Sequence, residues 1–132
     1  MFRYVAFIPI ALWLISLVVP AAGWGKGEIG IGWQILLLGW VGFLNAQFGW
    51  LANIAFVCSI PLNMRDRQPS SASQVLLSVG LVFPALQALF WSKVHTDTGE
   101  FPVVVGIGYY LWLGAMFCQA LLLNAARHRS GT

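Results

Sequence analysis

The sequence predicts an all-α integral membrane protein, a single domain spanning residues 1–132 in which four transmembrane helices form a bundle with both termini cytoplasmic. Three observations lead there. Hydrophobic residues make up 59% of the chain and charged residues 8%, whereas a soluble domain carries roughly a quarter charged residues to cover its surface. The seven Lys and Arg and four Asp and Glu, formally +3, fall between apolar blocks. A nucleic-acid binder would gather its basic residues into one stripe; a chain that keeps charge out of hydrocarbon scatters them among its loops. Finally, there are four such blocks, at about 2–20, 33–62, 74–91 and 103–126, each long enough to cross a bilayer.

The first block holds a single charge, Arg3, and covers about one hydrocarbon core at 1.5 Å per residue. Arg3, the apolar run and the small residues of Val19-Pro20-Ala21 also have the layout of a signal peptide; we take the segment as an uncleaved anchor. Residues 23–32 are rich in Gly and carry Trp24, Lys26 and Glu28, the composition of an interfacial loop. Residues 33–62 contain no charge. If helical they would extend about 45 Å, against a hydrocarbon core near 30 Å. This long second span therefore tilts, projects beyond the membrane, or breaks near Gly39, Gly42, Asn45, Gln47 and Gly49.

Residues 63–73 are polar and include Pro69, which marks a loop. The third block has Pro84 at its middle, where a missing backbone donor predicts a kink. Residues 92–102 bring Lys93, His95, Asp97 and Glu100 into a second polar loop on the opposite side, and the last block runs into Arg127-His128-Arg129. Orientation follows from the basic residues. Arg3, Arg65, Arg67, Arg127 and Arg129 lie on the side of the termini, and only Lys26 and Lys93 lie on the other, which places both ends in the cytoplasm.

Inside the spans the polar residues are amides and hydroxyls: Asn45, Gln47, Asn53, Ser59, Ser78, Gln87, Gln119 and Asn124. None ionises, which argues against a proton-coupled carrier. Amides can instead hydrogen-bond across helices, each contact worth on the order of 1 kcal/mol. Asn45, Gly49 and Asn53 are spaced four apart and share a stripe if the helix is continuous. Gly106, Tyr110 and Gly114 repeat the spacing in the last span, beside Gly108. These six are the candidate helix-contact or pore-lining residues, and contact is the simpler use. Trp24, Trp33, Trp91 and Trp112 suit an interfacial belt, while Trp40 and Trp50 lie deeper, where packing is the simpler use and a groove for a lipid or an apolar ligand the alternative.

Nothing points to catalysis. Cys58 and Cys118 lack a CxxC spacing and read as apolar packing residues. His95, Asp97 and Glu100 have metal-ligand chemistry, but one His and two acids in one polar loop read as a solvated surface. The Gly-rich segment lacks the Lys-Ser/Thr of a phosphate loop, and no Ser, His and Asp set occurs. The sequence therefore implies no metal, no cofactor and no enzyme.

Gly49-Trp50-Leu51-Ala52-Asn53, with its Trp-Leu-Ala-Asn motif, and Gly108-Tyr109-Tyr110-Leu111-Trp112-Leu113 resemble small four-span bacterial inner-membrane proteins of unassigned function. The resemblance implies a multi-pass protein of the bacterial inner membrane and brings no activity with it. Such small loops leave no room for a catalytic domain outside the lipid. We therefore expect a non-enzymatic interaction role, as an accessory or assembly subunit or as an immunity protein against a membrane-acting toxin. Its partners would be the bilayer and another membrane protein or a second copy of itself, with no nucleic acid. The alternative is a passive channel or carrier for a small neutral or lipidic solute, assembled around the amide stripe.

Overall fold

The first apolar block folds as two helices, α1 (Phe2–Val5) and α2 (Phe7–Val18), in a computed structural model that describes residues 2–25, 27, 29–64 and 70–128. Pro9 accounts for the break, because it cannot donate to the Val5 carbonyl and its ring crowds that oxygen. The far end of α2 is also set by a proline. Val19 is extended at φ −111° and ψ 160°, as the residue before Pro20 prefers, and strand β1 (Pro20–Trp24) follows directly.

The long uncharged block is broken. After strand β2 (Gly30–Ile31) come α3 (Gly32–Leu38), a 3-10 helix (Gly39–Asn45), an irregular turn, and α4 (Leu51–Met64). Gly39 and Gly42 weaken the helix by about 1 kcal/mol each, and Ala46 adopts a left-handed φ of 53°. Both ends of the α3 and 3-10 segment lie at one end of the molecule: Gly32 sits on the last turn of α2, and the Ala46 carbonyl is bonded by Gln87 near the end of α5 (Ser71–Leu89). Only α4 continues alongside the other helices.

Helix α5 starts earlier than the polar composition of 63–73 suggests, because the Ser70 hydroxyl caps it by accepting from the Ser73 amide at 3.2 Å. It runs unbroken through Pro84. The last helix, α6 (Ile107–His128), begins later than expected, since Val103, Val104 and Val105 belong to a strand. The all-α expectation is corrected here: β1, β2, β3 (Lys93–Thr96) and β4 (Gly99–Val105) form a four-stranded antiparallel sheet in the order β2-β1-β4-β3. Ala22, Gly23 and Trp24 pair with Val105, Val104 and Val103. β-branched residues favour such a ladder. The pairing brings the connection after α2 and the connection before α6 to the same end of the helices. The charges used for orientation at Lys26, Arg65, Arg67 and Arg129 lie outside the described residues.

The core is shared by α4, α5 and α6, where Ala52, Phe56, Leu81, Ala85, Leu113, Met116 and Leu123 are buried. Small residues bring the helices close: a Cβ added at Gly80 would lie 3.1 Å from the Ala55 Cβ. Outside, the surface is apolar, with Leu76 and Phe83 on α5 and Phe90 just after it at 72%, 62% and 80% exposure. Helices α5 and α6 are long and apolar enough to cross a membrane, yet only 28% and 39% of their apolar windows are buried within the protein. The core helix of a soluble protein would be mostly buried. The 19 residues of α5 extend about 28 Å, close to a hydrocarbon core of about 30 Å; α2 and α4, with 12 and 14 residues, are shorter.

Glycines form the joint where α2 ends. A Cβ on Gly32 would lie 1.9 Å from the Ser16 carbonyl oxygen, and one on Gly106 would lie 2.4 Å from that of Pro20. The Gly32 amide donates to the Val19 carbonyl at 3.1 Å, satisfying a group that the helix end leaves free. Gly32→Ala and Gly106→Ala are therefore expected to lower the unfolding free energy in detergent by about 2 kcal/mol, the ordinary cost of overpacking. Gly114→Ala, whose Cβ would meet only Leu12 at 4.0 Å, is expected to be neutral or stabilising by up to about 1 kcal/mol, since Ala is the better helix former. Denaturant titration monitored by circular dichroism distinguishes the two classes.

Candidate functional site

Asn53, on the first turns of α4, ties three helices with one side chain. Its Oδ1 accepts from Trp13 Nε1 of α2 and from Trp112 Nε1 of α6, both at 2.9 Å, and its Nδ2 donates to the Trp50 carbonyl at 3.2 Å. An indole brings a single N–H into an apolar environment, where leaving it unpaired is costly. A carbonyl oxygen with two lone pairs serves two of them at once. Trp13 also stacks on Phe56, ring centroids 5.6 Å apart, so the hydrogen bonds and the apolar core fix the same rotamers. The Tyr109 hydroxyl donates to the Ala88 carbonyl at the end of α5, again meeting a group the helix end leaves free.

The remaining amides join helices further along the bundle. Gln119 Nε2 donates to Ser59 Oγ at 2.6 Å, and Ser59 donates in turn to the Phe56 carbonyl at 2.6 Å. Gln74 Nε2 donates to the Leu123 carbonyl, and Asn124 Nδ2 to Ser78 Oγ of α5 at 3.3 Å. Gln87 holds the irregular turn before α4 with both ends of its amide: Nε2 donates to the Ala46 carbonyl at 2.7 Å and Oε1 accepts from the Phe48 amide at 2.8 Å. Trp50 Nε1 pins the turn to α3 through the Leu36 carbonyl at 2.7 Å.

Of the six residues expected to mediate contact or line a pore, the structure places Asn53 at the centre of this cluster. Gly49 packs closely, a Cβ there lying 3.2 Å from Ala88 Cβ. The Asn45 side chain lies outside the described residues, and its backbone closes the 3-10 helix. Asn45, Gly49 and Asn53 therefore belong to three different local structures and share no helical stripe. Gly106 makes its close approach from the residue between β4 and α6, not from a helix. Tyr110 is 60% exposed, its ring edge-on to Tyr109 at 5.5 Å, and Gly114 makes no close crossing. Trp13, Trp112 and Gln87 carry more of the arrangement than their sequence positions suggest. The only sequence signal for them is a polar group in an apolar run, and their partners lie 39 to 59 residues away.

Next to Asn53, between the bundle and the α3 and 3-10 segment, lies a cavity of about 120 Å³ whose wall includes Gly39, Gly42, Trp50, Trp91, Tyr109 and Trp112. Among the described residues its wall has no acid, base or nucleophile beyond the hydroxyls of Ser16, which donates to the Trp13 carbonyl at 2.6 Å, and of Tyr109, which donates to the Ala88 carbonyl. Its chemistry is that of an apolar receptacle. Outside that cavity, three residues of the hairpin pair on an exposed surface: Glu100 receives Lys93 Nζ and His95 Nδ1, each at 3.2 Å. No protein-family model, curated protein or solved structure matches the chain.

The Asn53 cluster has a measurable consequence. Asn53→Leu strands two indole donors and is expected to cost about 1–3 kcal/mol. In a double-mutant cycle, Trp112→Phe should cost less in the Asn53→Leu background than in the wild type by about 0.6–1.7 kcal/mol, the range of interhelical hydrogen bonds in membranes. Additive losses would mean that the bond contributes nothing.

Proposed function

We propose that this chain is a four-span protein of the bacterial inner membrane, with cytoplasmic termini, that acts by binding another membrane protein and catalyses no reaction. An accessory or assembly subunit, or an immunity protein facing a membrane-acting toxin, fits this reading. The observation that carries it is the contrast between inside and outside. Inside, Asn53, Gln74, Gln87 and Tyr109 are engaged within the chain. Outside, the helices offer apolar surface along α5 at Leu76, Val79, Phe83 and Leu86. A protein that works through its lipid-facing helix surfaces needs that distribution.

The four-span placement draws support from several sources. α5 and α6 have the length and hydropathy for it. The pairing of β1 with β4 brings two connections to one end, and the basic residues favour cytoplasmic termini. The shorter α2 and α4 can be accommodated by local thinning of the bilayer, at fractions of a kcal/mol per Å of mismatch. The resemblance of the Trp-Leu-Ala-Asn motif to small inner-membrane proteins points the same way. A pore built around the amides has less to support it, since Asn53 gives its oxygen to two indoles of its own chain.

Replacing Phe83 with a photoreactive residue should, in intact cells, give one crosslinked product of fixed mass containing this chain and a single membrane protein. A crosslink to lipid alone, from Phe83 and from Leu76 alike, would count against the interaction role.

A further inference from the structure

We propose that the cavity beside Asn53 receives the acyl chain of a bilayer phospholipid, with the headgroup in the groove that adjoins it; this rests on the membrane placement proposed above. The cavity holds about 120 Å³, a little less than the ~150 Å³ apolar cavity that stays dry and takes up benzene. That is room for the end of a hydrocarbon chain. A resident water needs two to four polar partners, and three of the polar side chains of the wall are already engaged, Asn53 Oδ1 by two indoles, Tyr109 by the Ala88 carbonyl and Trp50 by the Leu36 carbonyl. Trp91 Nε1 is a lone donor, too few to hold one. The occupant is therefore apolar.

The adjoining groove, of about 590 Å³, shares Ile35, Gly39, Gly42 and Trp91 with the cavity. Leu38, Val41 and Leu44 also line it, and so do His95 and Asp97 of the hairpin. Together the two spaces run from mainly apolar to charged, which suits a molecule with a tail and a polar head. They lie at the sheet end, where a bilayer presents its headgroups. At their junction Trp91 Nε1 is enclosed and has no hydrogen-bond partner among the described residues. A phospholipid carries its ester carbonyls at the same boundary between chain and head, and an indole turned toward the groove would find an acceptor there.

The test is native mass spectrometry after reconstitution in nanodiscs of phosphatidylethanolamine and phosphatidylglycerol and transfer to detergent. The wild type should retain one phospholipid per chain. Ile35→Trp, which fills the junction, should retain about tenfold less, a loss of roughly 1.4 kcal/mol. Ile35→Ala and the outward-facing Phe83→Trp should retain it. Equal retention by Ile35→Trp and the wild type, a bound detergent in place of phospholipid, or no bound lipid in the wild type overturns the proposal. Should Ile35→Trp fail to fold, delipidated wild type titrated with phospholipid brominated on its acyl chain decides: tryptophan quenching saturating at one lipid per chain supports the site, and no saturation refutes it. A chain that does not enter nanodiscs contradicts the membrane placement, whereas one that enters and holds no lipid contradicts this inference alone.

Discussion

Every helix end leaves up to four backbone groups without a partner, and a chain with only 8% charged residues has few polar side chains with which to meet them. The structure is organised around that shortage. The end of α2 is met by the Gly32 amide, the end of α5 by the Tyr109 hydroxyl, and the turn before α4 by both ends of Gln87. The sheet does the same for two connections at once, since β1 and β4 exchange bonds that neither strand could satisfy alone.

Asn53 applies the same logic to side chains. A large indole is a good source of apolar contact but brings a donor with it. By placing one oxygen between Trp13 and Trp112, the chain buries part of two indoles and joins α2, α4 and α6 in one register. The cost is rigidity of position, because neither ring can move without stranding a donor. The cavity beside this cluster is then a consequence of geometry. Rigid rings and glycines without side chains do not fill the space under the α3 and 3-10 segment, so a void remains beside the cluster.

Local signals in the sequence reached the helices with fair success. The apolar blocks mark them, and the cluster from Gly39 to Gly49 marks the break in the long second block. Other local signals were present but outweighed: Pro9 divides the first helix, Val19-Pro20 ends it, and Ser70 caps α5 four residues before the apolar block at 74–91 begins. The sheet could not be read, because β1 and β4 are separated by most of the chain and β2 contributes only two residues. Val103 to Val105 suit a strand or an apolar helix equally by composition, and pairing with Ala22 to Trp24 decides between them. Asn53 was legible as an unusual residue; its partners, 40 and 59 positions away, were not. The stripe through Asn45, Gly49 and Asn53 assumed a continuous helix that the turn at Ala46 denies.

The central claim is that the sheet and the turn between α4 and α5 lie on opposite faces of one membrane. With Cys58 and Cys118 replaced by Ala, single cysteines at Thr98 and Ser70 can be probed with an impermeant maleimide in spheroplasts. Labelling of Thr98→Cys in intact spheroplasts, with Ser70→Cys labelled only after permeabilisation, is the predicted result. Labelling of both without permeabilisation would contradict it.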